Sequence, residues 1–453
     1  RSSDLGCCCT EQFRAMYLSV FYTLILQVNP FHIGILMLIT KIWDAVNDPI
    51  IGAIVDSRKA TKGGKFIPWI RAFSFPMAVL CILGFVNVSN LAYGLRLAYM
   101  FVTYVLYEAL YTCVNVPFGT LSSVMTDDVR HRTALSRYRS LGGTIFMTVI
   151  VMVGPLVLYV DNKPVAGRFL MLASVFALIG LLCLQITCVW CKERVAVPER
   201  PKGEKLNYLH VIKEIAKNKA LLGVMFFSLV GMIGASVVNG LNTYLFKDYF
   251  GNVKIMAVSG GLSVLYSLIT FAITQPLADK LGKKEWCCWG AGFAAAVFAL
   301  LFFFPIHNPV LFIVINGVCY LGASGMQVLI WAMVNDSIDY HELQTGERNE
   351  GIVYSTYSFF RKLASAVSGS LSSFVLGFIG YNVAEGAMQT AEVSNAIWKS
   401  YTGIYVLGYG VAVAILFFVY PLTKAKTTEM LEQLKARRAE KASAVETDGE
   451  QCP

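Results

Sequence analysis

Residues 32–69 decide the fold class, and they read HIGILMLITKIWDAVNDPIIGAIVDSRKATKGGKFIPW. The stretch joins an apolar run long enough to cross a membrane, acidic side chains inside that run, and a loop rich in glycine and lysine. An ionisable side chain at bilayer depth costs at least ~2.5–3.5 kcal/mol on insertion scales, so by default it marks a pathway or a binding site. The stretch therefore predicts a membrane-spanning helix that contains a polar site.

The composition of the whole chain is that of a polytopic membrane protein. Of its 453 residues, 56% are hydrophobic and 15% are charged, and the mean hydropathy is +0.58. Soluble domains carry about 25% charged residues, so a water-soluble enzyme is excluded. At roughly 20 apolar residues per span, about 12 spans would use about 240 residues. The alternation of a β-barrel is absent, and we expect an all-α protein with twelve transmembrane helices.

Apolar windows, broken by charged or Pro/Gly clusters, place the twelve helices in two sets of six. They are predicted near 8–28, 32–56, 68–88, 94–125, 140–160, 168–190, 220–246, 254–278, 286–304, 309–334, 353–380 and 398–421. The predicted domains are a six-helix bundle at 1–190, a polar cytoplasmic linker at 191–219, a second six-helix bundle at 220–421 and a cytoplasmic tail at 422–453.

A faint internal repeat indicates that the two sets are pseudo-symmetric halves. The second predicted helix is followed by GAIVDSRKATKGGKFIPW (52–69), and the eighth is followed by QPLADKLGKKEWCCW (275–289). Both join a small-residue helix end, an aspartate and a loop with glycine and basic residues. Two-halved secondary transporters are built from such repeats, because alternating access rocks one bundle against the other. A channel or a receptor has no reason to show the repeat.

Positive charge predicts the orientation of the chain. Lysine and arginine cluster in the loops after the second, fourth and eighth predicted helices, in the central linker and in the tail. The positive-inside rule then predicts a multi-pass protein of the inner cell membrane with both termini in the cytoplasm. The net charge of +9 is therefore explained by the lysines and arginines of the cytoplasmic loops. It does not imply a nucleic-acid partner, and the lipid bilayer is expected as a partner because the chain spans it.

The twelve cysteines indicate neither a disulfide framework nor a metal site. Most lie inside apolar runs, where cysteine behaves as a small buried hydrophobe. The run Cys7-Cys8-Cys9 and the pair Cys287-Cys288 lack zinc-ligand spacing and nearby histidine partners. No resident cofactor is expected. The sequence also contains no nucleophile elbow, P-loop or HExxH motif, so an enzyme embedded in the membrane is disfavoured.

Paired acids on the second predicted helix form the first candidate site. Asp44 and Asp48 are four residues apart and share one helix face, with Asn47 beside them. Two close carboxylates cannot both stay ionised in a low dielectric without a cation or a shared proton. Hard oxygen ligands suit Na⁺, so Na⁺ at Asp44 and Asp48 is one expectation. The alternative is a structural network in which Lys41 neutralises the acids.

A polar stripe runs along the fourth predicted helix. Glu108, Thr112 and Asn115 recur at spacings of four and three, which places them on one face. The stripe is expected to contact substrate, and Glu108, as a buried acid, could carry a proton. The alternative is a set of inter-helix hydrogen bonds that only pack the helices.

Charged residues also surround the end of the tenth predicted helix and enter the eleventh. Asp336 and Asp339 are expected at the cytoplasmic mouth, as a solvated gate or in a salt bridge to Arg348. Arg361 and Lys362 lie deep enough in the eleventh helix to need a partner or a water-filled cavity. They would suit an anionic substrate, since arginine binds carboxylates bidentately. The alternative is pairing with Glu108 or with the acids of the second helix.

Three strings together resemble the glycoside–pentoside–hexuronide:cation symporters of the major facilitator superfamily. They are IWDAVNDPIIG (42–52) with GGKFIPW (63–69), VNVPFGTL (114–121) followed by DDVRHRTALSRYR (127–139), and NDSIDYHELQTGERNEG (335–351) with Lys362. The resemblance implies the major facilitator fold of two six-helix halves. It also implies a cation site like that of the family's melibiose carriers, which falls here on Asp44, Asn47, Asp48 and Thr112.

The sugar site of the melibiose carriers is carried over less completely. The two acids of that site fall on Cys8 and Asn115, and its helix 10 tryptophan falls on Gln327. Its helix 5 arginine falls on Ser140. The adjacent Arg139 is expected to take part in gating. Among the positions that bind sugar, Lys362 alone keeps the family residue. TGERNEGIVYSTYSFFRK (345–362), WAM (331–333) and FVYPLTKAK (418–426) look more like the glucuronide-carrier branch.

The charges favour an acidic sugar. A glucuronide carries one negative charge, and replacing two site carboxylates with Cys8 and Asn115 removes repulsion, while Arg361 and Lys362 would supply complementary charge. We therefore expect a monomeric symporter that couples Na⁺ or H⁺ entry to import of a hexuronide by alternating access. The alternatives are a neutral glycoside or pentoside carrier, and a non-transporting membrane sensor, for which the tail at 422–453 is too short and charged to be an output domain.

Overall fold

The computed structural model describes residues 3–57, 64–125, 129–191, 193, 218–345, 370–384 and 388–449, together with 357, 360, 361, 364 and 368. The helices in this part of the chain are α1 (Ser3–Leu24), α2 (Pro30–Ser57), α3 (Ile67–Leu83), α4 (Tyr93–Met125), α5 (Val129–Leu158), α6 (Ala166–Trp190), α7 (Lys219–Tyr244), α8 (Ile255–Leu281), α9 (Lys283–Phe303), α10 (Pro309–Ala323), α11 (Gly325–Thr345), α12 (Ala391–Phe418) and α13 (Lys424–Gly449). A π-helical turn at Leu245–Tyr249 extends α7, and β1 (Tyr159–Val160) pairs antiparallel with β2 (Lys163–Pro164).

Apart from the eleventh predicted helix (353–380), much of which lies outside the described residues, the observed helices follow the apolar windows, with differences at three places. α5 begins at Val129, well before the predicted start near 140, and the tenth predicted helix is divided by a turn at Ser324 and continues as α11 to Thr345. The predicted tail contains α13, which the windows do not detect because its sequence is highly charged. α13 packs against α11 through buried Met430 and Leu434.

The described part of the chain contains seven helices that are long and apolar enough to cross a membrane, and two shorter apolar helices. Many large apolar side chains on these helices are exposed, among them Leu182, Phe271 and Phe303. Exposed large apolar side chains in this number, on helices long enough to cross a membrane, suit a lipid environment. The chain is therefore an integral membrane protein, and twelve spans stay a prediction.

Two compact units group the residues by their contacts. The first comprises Arg1–Lys202, Asn239–Gly261 and Gly369–Trp398, and the second comprises Gly203–Val238, Leu262–Ser368 and Lys399–Pro453. The predicted boundaries at 190, 219 and 421 follow the order of the helices along the chain rather than these contacts, and they stay a prediction.

The first unit is built around α1. This helix packs against α5 and α6, while α3 packs against α4 and α6, and α2 against α4. The ring of Phe13 lies 5.0–5.5 Å from the rings of Tyr17, Phe85 and Phe176, distances at which aromatic pairs attract. Because Phe13 and Tyr17 are fully buried, the polar residues between and before them are carried into the interior of the unit.

A carboxylate from the start of the predicted linker holds the beginning of α3. Glu193 accepts hydrogen bonds from the backbone N–H groups of Lys65, Phe66 and Ile67, at 2.8, 2.8 and 2.9 Å. The first N–H groups of a helix have no partner within the helix, and the positive end of its dipole favours an anion. Glu193 therefore ties the residues that follow α6 to the same unit as α3.

The β1–β2 hairpin contacts the loop after α7 through one asparagine. Its two turn residues, Asp161 and Asn162, have φ angles of 47° and 63°, as a tight hairpin turn requires. The Asn162 side chain donates a hydrogen bond to the carbonyl oxygen of Lys247 and accepts one from the N–H of Val253, both at 3.0 Å. This side chain thus joins two segments of the first unit that are distant in sequence.

Replacing Asn162 by glycine tests this contact. Asn162→Gly removes both hydrogen bonds but keeps a residue that tolerates the positive φ angle, so we expect a loss of about 1–3 kcal/mol and a lower midpoint of thermal unfolding in detergent. Asp161→Gly, at the exposed neighbouring turn position, is the matched control and should change the midpoint little. Equal midpoints for the two variants would contradict the assignment.

Candidate functional site

Charged side chains from three helices meet inside the first unit. They are Glu11 and Arg14 of α1, Lys41 and Asp44 of α2, and Glu108 of α4, and we call them the charged cluster. Each lies in the middle part of its helix rather than at an end. The cluster therefore lies away from the helix ends, in the interior of the unit, where an ionised group is costly unless it is paired.

Glu108 is the acid that both cations approach. One of its oxygens, Oε1, lies 3.7 Å from Nη1 of Arg14, and the other, Oε2, lies 3.6 Å from Nζ of Lys41. Glu108 is only 3% exposed and Arg14 only 4%. The pair spans α1 and α4, which makes this carboxylate the link between the helices.

Lys41 is shared between two acids. Its ammonium group donates a hydrogen bond to Oδ2 of Asp44 at 3.2 Å and lies 3.6 Å from Oε2 of Glu108. The sequence leaves neutralisation of the α2 acids by Lys41 open as the alternative to a cation site. The contact with Asp44 agrees with that alternative, and Lys41 approaches Glu108 as well. One cation thereby joins α2 to α4.

Aromatic rings hold the guanidinium group of Arg14. Its central carbon lies 3.3 Å from the ring centroid of Tyr107 and 5.0 Å from that of Tyr104, both on α4. A desolvated cation over an aromatic face gains up to about 2 kcal/mol or more. Nε and Nη1 of Arg14 make no hydrogen bond within the described residues, so part of its donor capacity is unused.

Two further buried polar groups face no hydrogen-bond partner in the described part of the chain. They are Oε2 of Glu11 and Nδ2 of Asn47, and Asn47 is 7% exposed. Glu11 interacts electrostatically with Glu108, Lys41 and Arg14, and a buried polar atom without a partner costs about 1–3 kcal/mol. Such atoms indicate where a small ligand or a proton would be accommodated.

The charges of the described side chains in the cluster do not balance. Three carboxylates and two cations leave one negative charge when all are ionised, before Asp48 is counted, whose side chain lies outside the described residues. An uncompensated charge in this environment is expensive and is neutralised by a bound cation or a proton. The cluster can therefore take up one positive charge.

The other predicted residues of the cation and sugar sites are placed as follows. Thr112 is buried one turn after Glu108 on α4, and Asn115 follows on the same face, partly buried. The side chains of Cys8, Asp48 and Arg139 lie outside the described residues. No group of three or more His, Cys, Asp or Glu side chains among the described residues is arranged to hold a metal ion, so Na⁺ at Asp44 and Asp48 stays a prediction.

The predicted gating residues Asp336 and Asp339 lie in the second unit. Asp336 accepts two hydrogen bonds from Nζ of Lys283, at 2.7 and 2.8 Å, which joins α11 to the start of α9. The predicted partner of Asp336, Arg348, lies outside the described residues. Asp339 is partly buried on the same helix, near Asp336. Lys283 was not among the candidates, because its partner depends on how α9 and α11 pack.

A cation beside an indole ring marks the predicted sugar-binding residues of the second unit. Arg361 is exposed, and its guanidinium carbon lies 5.9 Å from the ring centroid of Trp331. Gln327 is exposed one turn before Trp331 on α11. The Trp331 ring also packs edge-on against Tyr357 at 5.0 Å. Lys362 lies outside the described residues.

Sequence reasoning missed Glu11 and Arg14. Both lie in TEQFRAMYL (10–18), inside the first apolar window, and their spacing of three places them on one helix face. A pair of opposite charges inside an apolar run is the signal that could have identified them. Their contact with Glu108 was not readable from the sequence, since it depends on how α1 packs beside α4.

A double-mutant cycle tests the Arg14–Glu108 pair. Arg14→Met leaves a buried carboxylate with one cation fewer, and we expect a loss of about 3–5 kcal/mol in the free energy of unfolding. Adding Glu108→Gln should recover more than half of that loss, because the cluster then carries the same net charge as in the unmodified protein. Thermal and denaturant unfolding in detergent give both values. Additive losses in the double variant would show that the two side chains do not interact.

Known proteins and a family model are similar to most of this chain. The model, described as MFS/sugar transport protein, matches residues 2–424. The uncharacterized symporter YjmB of Bacillus subtilis (strain 168) is 31% identical over 423 residues, 92% of this chain and 90% of that protein. The isoprimeverose transporter of Lactiplantibacillus pentosus is 29% identical over 440 residues, 96% and 90%. The glucuronide carrier protein homolog of Escherichia coli (strain K12) is 25% identical over 430 residues, 94% and 92%.

Solved structures share the fold. The inward-facing, unoccupied structure of a bacterial homolog to the human lysosomal transporter Spinster has a TM-score of 0.67 at 11% identity, over 92% of this chain and 95% of that one. A D-xylose-proton symporter structure has a TM-score of 0.59 at 14% identity, over 93% and 97%. At these identities the likeness establishes the helical fold of MFS transporters and nothing finer.

Proposed function

Because the chain belongs to the MFS/sugar transport protein family, we propose that it is a secondary active symporter that couples entry of Na⁺ or H⁺ to import of a glycoside, and that this glycoside is a hexuronide. The protein is a membrane transporter and not an enzyme. The observation that carries the coupling is the unbalanced negative charge of the charged cluster.

Coupling follows from that charge. A cation or proton taken up by the cluster removes repulsion among its acids and holds α2 and α4 together through Asp44, Lys41 and Glu108. If a sugar binds better to this ordered arrangement, the bound cation raises the affinity for the sugar. The sugar then raises the affinity for the cation by the same factor, because linkage is reciprocal. We also propose that the protein acts as a monomer in the inner cell membrane, with both termini in the cytoplasm.

Asp44→Asn tests the coupling role. The amide keeps the size of the side chain but removes the negative charge that attracts the cation, so we expect accumulation of labelled methyl β-D-glucuronide in proteoliposomes to fall to the equilibrium level under an imposed Na⁺ or H⁺ gradient. Asp161→Asn, an exposed aspartate of the hairpin turn, is the control. Accumulation by Asp44→Asn at the level of the unmodified protein would refute the role.

An acidic substrate is favoured by the charges near the predicted sugar-binding residues. Arg361 is exposed beside Trp331, so its guanidinium group is available to a carboxylate while a sugar ring contacts the indole. Glu108, which would otherwise repel an acidic sugar, is compensated by Arg14 and Lys41. The similarity to a protein named a glucuronide carrier homolog supports the same substrate class.

Arg361→Gln tests the substrate class. A hydrogen bond to a charged group contributes about 1.5–3 kcal/mol, so we expect the KM for methyl β-D-glucuronide to rise about tenfold or more. Uptake of the neutral methyl β-D-xyloside should change much less. Arg361→Lys keeps the charge and should retain part of the affinity for the glucuronide. Equal losses for the two sugars would count against a carboxylate contact.

A neutral glycoside or pentoside is the second candidate substrate. The specific observation in its favour is the similarity to the isoprimeverose transporter, which covers 96% of this chain. The two candidates differ in the charge that they bring to Arg361, so the paired measurement above separates them.

A further inference from the structure

Glu11 is the acid of the charged cluster that the cations compensate least. Asp44 and Glu108 each lie within 3.6 Å of Lys41, and Glu108 also approaches Arg14. Glu11 has no comparable ion pair with a described residue, and its buried Oε2 atom has no hydrogen-bond partner in that part of the chain. The unbalanced charge of the cluster therefore falls on Glu11.

The groups around Glu11 make a proton the fitting ligand. Those that interact with it electrostatically are Arg14 on its own helix, Lys41 on α2, Cys81 on α3, and Tyr104, Tyr107 and Glu108 on α4. The contacts of α1 with α6 and α5 include those of Phe13 with Phe176 and of Tyr17 with the carbonyl of Ile150. Two cations already occupy this space, and a proton adds charge without adding volume.

We propose that Glu11 is the proton-binding group of this transporter and that Arg14 is its switch. With Glu11 protonated, the cluster is neutral and Arg14 pairs with Glu108, as observed at 3.7 Å. When the proton leaves Glu11 for water, its carboxylate attracts Arg14, which lies three residues further along the same face of α1. The inference rests on the proposed symport and deepens it, because it identifies H⁺ as the coupling ion and Glu11 as its site.

The switch changes a contact between helices. Arg14 can donate hydrogen bonds to a new acceptor, because Nε and Nη1 make none within the described residues and Nη1 faces Glu108 only at the 3.7 Å distance of an ion pair. As Arg14 turns toward Glu11, the ion pair between α1 and α4 weakens, and Lys41 is left as the compensating cation of Glu108. Loss of one proton is thereby converted into a loosened contact between α1 and α4, next to the residues proposed to couple α2 and α4.

Infrared spectroscopy tests the proton directly and needs no sugar. The unmodified protein in lipid vesicles at neutral pH should show the carbonyl stretch of a buried protonated carboxyl group. Glu11→Gln should remove that band, Glu11→Asp should shift it, and Glu429→Gln, at an exposed position of α13, should leave it unchanged. Absence of the band from the unmodified protein, or its persistence in Glu11→Gln with native unfolding behaviour, would overturn the proposal.

Transport measurements separate proton coupling from a structural role. Glu11→Gln should still exchange labelled methyl β-D-glucuronide across proteoliposome membranes but should lose accumulation driven by a pH gradient. The exchange rate should also lose its dependence on pH. If Glu11 were needed only for folding, Glu11→Gln would lower exchange and accumulation together, and Glu11→Asp, which keeps a carboxyl group, would restore neither. That pair of results would contradict the proposal.

Failure of this proposal is distinguishable from failure of the proposed function. If Asp44→Asn abolishes accumulation while Glu11→Gln keeps accumulation driven by a pH gradient, symport stands and Glu11 is not the proton site. If the unmodified protein accumulates neither glucuronide nor xyloside under any ion gradient, the proposed function fails. The infrared band then decides the protonation of Glu11 by itself.

Discussion

The charge balance of the buried cluster is the constraint on which the rest of the site depends. Within the described cluster, α1 contributes one acid and one base, α2 contributes one of each, and α4 contributes Glu108 alone. Arg14 lies near Glu108, and Lys41 is shared between Asp44 and Glu108, so Glu11 is the acid that the two bases compensate least. An ionised group at this depth is expensive unless it is paired. The net charge of the cluster therefore depends on side chains of all three helices and cannot be assigned to one ion pair.

This sharing makes the cluster suitable for coupling. Lys41 lies within 3.6 Å of acids on two helices, and Arg14 is held between Glu108 and two tyrosine rings. A change in the charge of one acid alters the best position of both cations, and through them the contacts of α1, α2 and α4. A ligand shifts such an equilibrium only by its differential affinity for the two arrangements. A change of one unit of charge in a medium of low dielectric constant produces a large difference in free energy between the two arrangements.

The sequence predicted the helices well, because a membrane span needs a long apolar run and this requirement is local. It also predicted the acids of α2 and α4, which interrupt apolar runs at helical spacing. It could not predict that Lys41 reaches Glu108 or that Lys283 pairs with Asp336, since these contacts depend on how helices pack side by side. α13 was missed because apolar windows look for spans, whereas Met430 and Leu434, four residues apart, give this charged helix one narrow apolar face.

The charge of the sugar determines what drives the proposed transport. A proton on Glu11 carried inward with a hexuronide moves no net charge across the membrane, because the carboxylate of the sugar cancels it. The membrane potential then does no work on the pair, and accumulation is set by the pH gradient alone. The same proton carried with a neutral glycoside moves one positive charge, which gains about 2.3 kcal/mol per 100 mV. In this proposal the arginine at the sugar site and the proton-binding acid in α1 are therefore not independent features, since together they would fix both the substrate and the gradient that drives its transport.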